Sequence, residues 1–228
     1  MIGVLSDAHG HGAAFHTAIE ALRVAGADRF VFLGDAVGYI PGRSVLQAIS
    51  DLGDAITCVR GNHDEMVASG HLDPGREDVY QHQLTRLLLK PEDLAIVTAW
   101  PKAQRLTCAA GRLLFVHGSP ADPTRGYVYP ETSLEGIPVD ADFVFMGHTH
   151  RPFIRRHGAT CFVNVGSCSL PRDEGGRGAA VIFDPHGGNV SVVRFDIRAQ
   201  TRDLLQSVRI HPMVVKLLER ELDNRDRQ

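Results

Sequence analysis

Five short clusters along the chain carry residue types that bind divalent cations: Asp7-x-His9, Gly34-Asp35, Gly61-Asn62-His63-Asp64, His117-Gly118 and Gly147-His148-Thr149-His150. Together they offer carboxylate oxygens, an amide oxygen and imidazole nitrogens, with no thiolate among them. That mixture suits hard-to-borderline ions, Mn²⁺ first, with Fe²⁺, Zn²⁺, Ni²⁺ and Co²⁺ also compatible. Asp7, His9, Asp35, Asn62, His117, His148 and His150 are too many ligands for one ion that keeps an open position, so two ions are expected. One carboxylate must then bridge them, and Asp35 is the candidate. Two cations held about 3.5 to 4 Å apart can share a bridging hydroxide, polarise phosphoryl oxygens and stabilise charge during an in-line displacement. Each member taken singly has a bland explanation: a strand-end Asp as a cap, His117 as a satisfied core histidine, Gly-Asn-His-Asp as a turn. Their convergence argues otherwise, because five of the chain's 12 histidines fall in such clusters.

The elements that must position these clusters are legible in the apolar pattern. Ile2 to Ser6, Phe30 to Leu33, Ala55 to Val59, Leu113 to Val116 and Phe143 to Met146 read as buried strands, each ending in one of the polar clusters. Phe15, Ala18, Ile19 and Leu22 form one face of a helix that Gly26 should stop. Val45, Leu46, Ile49 and Leu52 mark a second helix ending at Gly53, and Leu84, Leu87 and Leu88 a third that ends before Pro91. The later part reads as short strands, Phe153 to His157, Thr160 to Val165, Ala179 to Phe183 and Val190 to Phe195, with a hairpin at Gly187-Gly188. From Asp203 to Leu222, one or two peripheral helices and a frayed tail are expected. Alternating strands and helices followed by a strand-rich half predict two mixed sheets packed face to face with helices outside. Ligands gather at the carboxyl ends of strands in such folds, so five loops would converge on one rim.

With 228 residues and 43% hydrophobic content, the default is one domain over 1–228, its core reaching about residue 200 and a helical segment covering about 201–228. The net charge of −3 comes from 24 basic and 27 acidic residues that are interspersed, which disfavours bulk nucleic-acid binding and a membrane surface. Cys58, Cys108, Cys161 and Cys168 lack C-x-x-C spacing and read as reduced, structural thiols. There is no apolar stretch of membrane-spanning length, and the start lacks a basic leader, so a cytoplasmic location is expected. The exposed edges of two sheets are compatible with a homodimer.

The series D-x-H, G-D, G-N-H-[DE], H and G-H-x-H, running from residue 2 to about 172, resembles the calcineurin-like metallophosphoesterase superfamily. Gly34-Asp35-Ala36-Val37-Gly38-Tyr39 with Pro41, and Val163-Asn164-Val165-Gly166-Ser167, resemble its small bacterial and archaeal phosphodiesterase branch. The resemblance implies an α/β fold of four layers, an α/β/β/α sandwich. It also implies that Asp7, His9, Asp35 and His150 hold one ion and Asp35, Asn62, His117 and His148 the other. By the same resemblance His63 acts on the substrate as leaving-group acid, with Asp64 orienting it. A departing alkoxide needs a proton, and an imidazole fixed by a carboxylate can supply one near neutral pH.

The implied reaction is hydrolysis of a small phosphodiester or phosphomonoester, nucleotides included, by a hydroxide held between the ions. Arg60 and Arg172 lie near the motifs and are candidates to clamp phosphoryl oxygens. Tyr39 and Tyr127 are candidates to stack on a base, and Asp140 or Asp142 to support a ligand histidine, with loop capping as the plainer role. Relatives often have D-x-H-G-N; here the fifth position is His11, an imidazole that is a candidate phosphate contact. Asp-Arg-Gly does not follow Gly34-Asp35, and Asp64 stands where protein phosphatases have Glu, which lowers a protein-phosphatase reading. Hydrolysis of dinucleoside polyphosphates and a non-catalytic role as a protein-binding scaffold compete with it. The scaffold role normally goes with lost ligands, and none is lost here.

Overall fold

The first strand, β1 (Ile2–Leu5), leads into α1 (Gly12–Val24), β2 (Arg29–Phe32), α2 (Ser44–Leu52), β3 (Ile56–Cys58) and α3 (Asn62–Ser69) in the computed structural model, which describes residues 1–220. Three short helices follow, α4 (Glu77–Tyr80), α5 (His82–Leu88) and α6 (Pro91–Ala99). The second half contains β4 (Ala103–Cys108), β5 (Gly111–Val116), β6 (Phe143–Met146), β7 (Phe153–His157), β8 (Thr160–Asn164), β9 (Arg177–Phe183) and β10 (Val190–Asp196). The described chain closes with α7 (Arg198–Ser207) and α8 (Pro212–Leu218). The part of the expected tail beyond residue 220 lies outside the described residues.

The strands form two five-stranded sheets, ordered β10-β9-β1-β2-β3 and β4-β5-β6-β8-β7. β1, β2 and β3 run parallel, as do β5, β6 and β8, while the remaining strands join antiparallel. Alternation explains why both central triplets read as continuous apolar runs. Leu5, Phe32 and Cys58 face the helices α1 and α2, whereas Val4, Val31, Phe115, Phe145 and Val163 meet in the layer between the sheets. This is the expected two-sheet sandwich with flanking helices.

Other details depart from the pattern. The outer face of the second sheet, with Leu114, Val144 and Phe162, is covered by Val128, Leu134 and Ala141 from the segment between β5 and β6. That segment is irregular rather than helical, as its Pro123, Pro130 and Pro138 would require. In α5 the expected leucine stripe faces outward, with Leu87 83% exposed, and the buried residues are His82 and Thr85. Strand β4 is an edge strand too polar to read as one. The hairpin forms as expected, with the N–H of Gly188 donating to Asp184 O at 2.9 Å. Helices α7 and α8 supply Leu204, Val214 and Leu218 to a fourth cluster that packs over Tyr39, Ile40 and Leu170. Among the described residues, no helix is long and apolar enough to cross a membrane.

Candidate metal centre

The carboxyl ends of β1, β2, β3, β5 and β6 bring the polar clusters together, and the backbone there adopts a conformation that side chains rarely take. Asp7, His9, Asp35, His148 and His150 all have positive φ, from 44° to 65°. Non-glycine residues are strained in the left-handed region, and such strain persists only where the surroundings hold it. The surroundings do so here. The N–H groups of Asp7 and His9 donate to Gly34 O and Asp35 O at 3.0 and 2.9 Å, zipping the first two loops together. Ser167 Oγ donates to Asp7 O at 2.8 Å and Ser169 Oγ to Ala8 O at 2.8 Å. The N–H of His148 donates to Asp7 Oδ2 at 3.0 Å, and Asn164 Nδ2 donates to Gly147 O at 2.6 Å. Gly147 itself must be small, because a Cβ would stand 2.2 Å from Ser6 Oγ and 2.7 Å from Asp7 Oδ2.

The Gly61-Asn62-His63-Asp64 cluster opens α3, where a turn is the ordinary reading. Asp64 accepts the Gly61 N–H at 3.0 Å and so caps the first turn. The same carboxylate accepts the N–H groups of Asp35 and Ala36 at 2.7 and 2.9 Å. This corrects the expectation that Asp64 orients His63. Its oxygens are engaged by the β2 loop, and the His63 ring is bonded instead to His82, Nδ1 to Nε2, at 2.8 Å.

None of Asp7, His9, Asp35, His63, His117, His148 and His150 is more than 8% exposed, and Asn62 is half-buried. Ligand atoms of Asp7, His9 and His150 lie within 4.8 Å of one another, as do those of His9, Asp35 and His63, and those of Asp35, His117 and His148. The ring nitrogens are oriented by backbone. His9 Nδ1, His117 Nδ1 and His150 Nδ1 face the carbonyls of Val37, Leu33 and Leu170 at 3.3, 2.9 and 2.6 Å. Donation there turns each Nε2 inward, as the ring atom available to an ion. His9 Nε2 and His150 Nε2 then stand 3.2 Å apart, with Asp7 Oδ1 3.2 Å from the latter and without a hydrogen-bond partner among the described residues. On the other side His117 Nε2 lies 3.1 Å from Asn62 Oδ1, 3.1 Å from His148 Nδ1 and 3.3 Å from Asp35 Oδ2. Buried acceptors crowded this way are stabilised by positive charge between them, a proton or a cation, and the donor set fits divalent ions.

The electrostatics agree. Burial opposes the charge on Asp7 and Asp35, but the neighbouring rings, His150 for the first and His117 for both, hold both carboxyls below their usual range. Burial pushes His9 down to about 3 and His148 to about 4, leaving their lone pairs free at neutral pH. For His117 burial also acts downward, yet Asp35 and Asp7 raise it to about 9.

The remaining candidates divide. Arg172 is at the centre: its N–H donates to His150 O at 3.1 Å and Nη2 reaches Tyr39 Oη at 3.5 Å. Tyr39 is buried 4.7 Å from the His9 ring, and Tyr127, 56% exposed, lies 4.1 Å from the His148 ring. Arg60 is not brought in; its guanidinium donates to Thr98 O at 3.3 Å. Nor is His11, whose Nδ1 accepts the Ala14 N–H at 3.4 Å as the cap of α1, and whose ring lines a separate cavity of about 260 Å³ with Ser44 and Leu204. Asp140 and Asp142 pair with Arg112 instead of a ligand histidine. Residue type and spacing give no role to Ser169 and His82. Ser167 and Asn164 are visible as part of a motif, but without a role.

Comparison with known proteins follows the same lines. The model of the calcineurin-like phosphoesterase superfamily domain matches residues 1–187. An uncharacterized protein of Methanocaldococcus jannaschii is 25% identical over 226 residues, covering 87% of this chain and 89% of its own. A metallophosphoesterase structure from Sphaerobacter thermophilus is 26% identical with a TM-score of 0.76, covering 95% of this chain and 97% of that one. A hypothetical protein of Pyrococcus horikoshii OT3 shares the fold at 21% identity and a TM-score of 0.79, covering 96% and 98%.

Proposed function

This chain belongs to the calcineurin-like phosphoesterase superfamily, and from that membership we propose that it is a dinuclear metal-dependent phosphoesterase acting on a small phosphodiester or phosphomonoester. The observation that carries the reading is the place of Asp35. Its carboxylate shares one group of mutually close ligand atoms with His9 and another with His117 and His148. A carboxylate so placed is suited to bridge two ions. Asp7, His9 and His150 would complete one site, and Asn62, His117 and His148 the other. When bound, the ions polarise the phosphoryl group and lower the pKa of water.

The chain's own residues supply the rest. His63 shares its group with Asp35 and His9 and offers a ring nitrogen to the leaving oxygen. Arg172, fixed through its backbone to His150, is the cation at hand for a phosphoryl oxygen. Tyr127 presents an exposed ring beside His148, which favours a substrate with an aromatic group such as a nucleotide base.

The test is hydrolysis of bis-p-nitrophenyl phosphate and p-nitrophenyl phosphate by protein stripped of metal and reloaded with Mn²⁺, with Asp35→Asn alongside. Mn²⁺-dependent turnover that falls by about a hundredfold or more in the variant is expected. Two bound ions with no hydrolysis of either compound would turn the reading toward a protein-binding scaffold.

A further inference from the structure

The His63–His82 pair has a feature the metal centre does not explain. Both rings are buried, at 4% and 0% exposure, and His63 Nδ1 meets His82 Nε2 at 2.8 Å. Several constraints bring them together. Gln81 adopts a left-handed conformation, φ +51°, which breaks α4 from α5 and makes His82 the first residue of the second helix. Tyr80 packs edge-on against His63 at 4.7 Å, and Tyr39 lies at 4.9 Å. Position 38 must be glycine, since a Cβ there would stand 2.4 Å from His63 Nδ1.

The other nitrogen of His82 decides where the protons lie. His82 Nδ1 is buried and has no hydrogen-bond partner among the described residues. Were His63 Nδ1–H the donor of the shared bond, neutral His82 would carry its own proton on Nδ1, as an unpaired buried N–H. With His82 Nε2–H as donor, the orphaned atom is only a lone pair, and buried acceptors tolerate that better than buried donors do. The second arrangement also places the proton of His63 on Nε2.

We propose that His82 is the positioning residue of His63: it donates from Nε2 to His63 Nδ1, fixing the ring and holding the His63 proton on Nε2, toward the leaving oxygen. The proposal rests on the reading that His63 acts at the leaving oxygen. In the step it serves, the oxygen of water bonds to phosphorus as the bond from phosphorus to the leaving oxygen breaks. The electron pair stays on that oxygen, whose growing charge the Nε2–H stabilises as a hydrogen-bond donor, and the proton lost by the attacking water ends on the departing alcohol, so that His63 stays neutral throughout. One water is consumed and the imidazole pair is unchanged.

A good leaving group needs this proton little and a poor one needs it much. The test compares methyl p-nitrophenyl phosphate with methyl phenyl phosphate, using Mn²⁺-loaded wild type, His82→Met, which fills the space without a donor, and His82→Gln, which keeps a side-chain N–H. His82→Met is expected to lose about tenfold more turnover on the phenyl ester than on the nitrophenyl ester, with KM and metal content unchanged. His82→Gln should restore the wild-type ratio. Equal losses on both esters, or His82→Gln behaving as His82→Met, would overturn the proposal. If wild type hydrolyses neither ester, the hydrolase reading fails by itself. Imidazole ¹⁵N shifts then decide the pairing: a protonated Nε2 and bare Nδ1 on His63, lost in His82→Met, support it, and the opposite tautomer refutes it.

Discussion

The carboxylate of Asp64 accepts the backbone N–H of Asp35 at 2.7 Å through Oδ2 and that of Ala36 at 2.9 Å through Oδ1. A side chain on the first turn of one helix thus shapes the loop that carries the central carboxylate of the metal site. Asp64→Ala would leave these buried donors and that of Gly61 unpaired, at about 1 to 3 kcal/mol for each. We expect a stability loss of about 3 kcal/mol or more in urea unfolding and weaker metal binding, although Asp64 has no place in the ligand set. Metal affinity equal to wild type would show that the Asp35 loop keeps its shape unaided.

Metal binding should depend on pH through His117. In the metal-free protein the carboxylates of Asp35 and Asp7 outweigh burial and hold this ring protonated up to about pH 9. An ion entering below that pH must displace the proton. Apparent Mn²⁺ affinity at the site containing His117 is expected to rise by about tenfold per pH unit from roughly 6.5 toward about 9 and then level off. Calorimetric titrations in buffers of different ionisation enthalpy read the released proton directly; binding that stays independent of pH from about 6.5 to about 8.5 would contradict this account.

Glycines at two loop positions should respond differently. Gly147→Ala places a Cβ against Ser6 Oγ and Asp7 Oδ2, inside the metal centre. Gly158, at φ +57°, has open space around its missing Cβ. The first substitution should abolish or severely weaken binding of at least one ion. In the second, Gly158→Ala should cost about 1 kcal/mol and leave metal content at two ions. Thermal unfolding with metal analysis separates them, and intact metal content in Gly147→Ala would be incompatible with the packing described.

What is readable from the residues alone follows from local physics. Phe143–Met146 and Phe153–His157 form strands with the expected limits, the first because a strand buried on both faces must be apolar throughout. Asp7, His9, Asp35, Asn62, His117, His148 and His150 converge because parallel strands place the loops at their carboxyl ends on one rim. Pairings between distant segments leave no such trace. The leucines of α5 mark a helix but not its buried side, which is set by what His82 and Thr85 meet. Proximity in the chain pairs Asp64 with His63, yet its partner Asp35 is 29 residues away, and the partner of His63 is 19 residues away. His11 and Arg60, adjacent to the motifs in sequence, point out of the centre in space. The amino-acid sequence by itself determined the candidate ligands and the strands that carry them, since both depend on residue type and period. Only the tertiary structure decided which side chains hold those ligands in place, since a hydrogen bond between distant segments depends on packing and leaves no spacing to read.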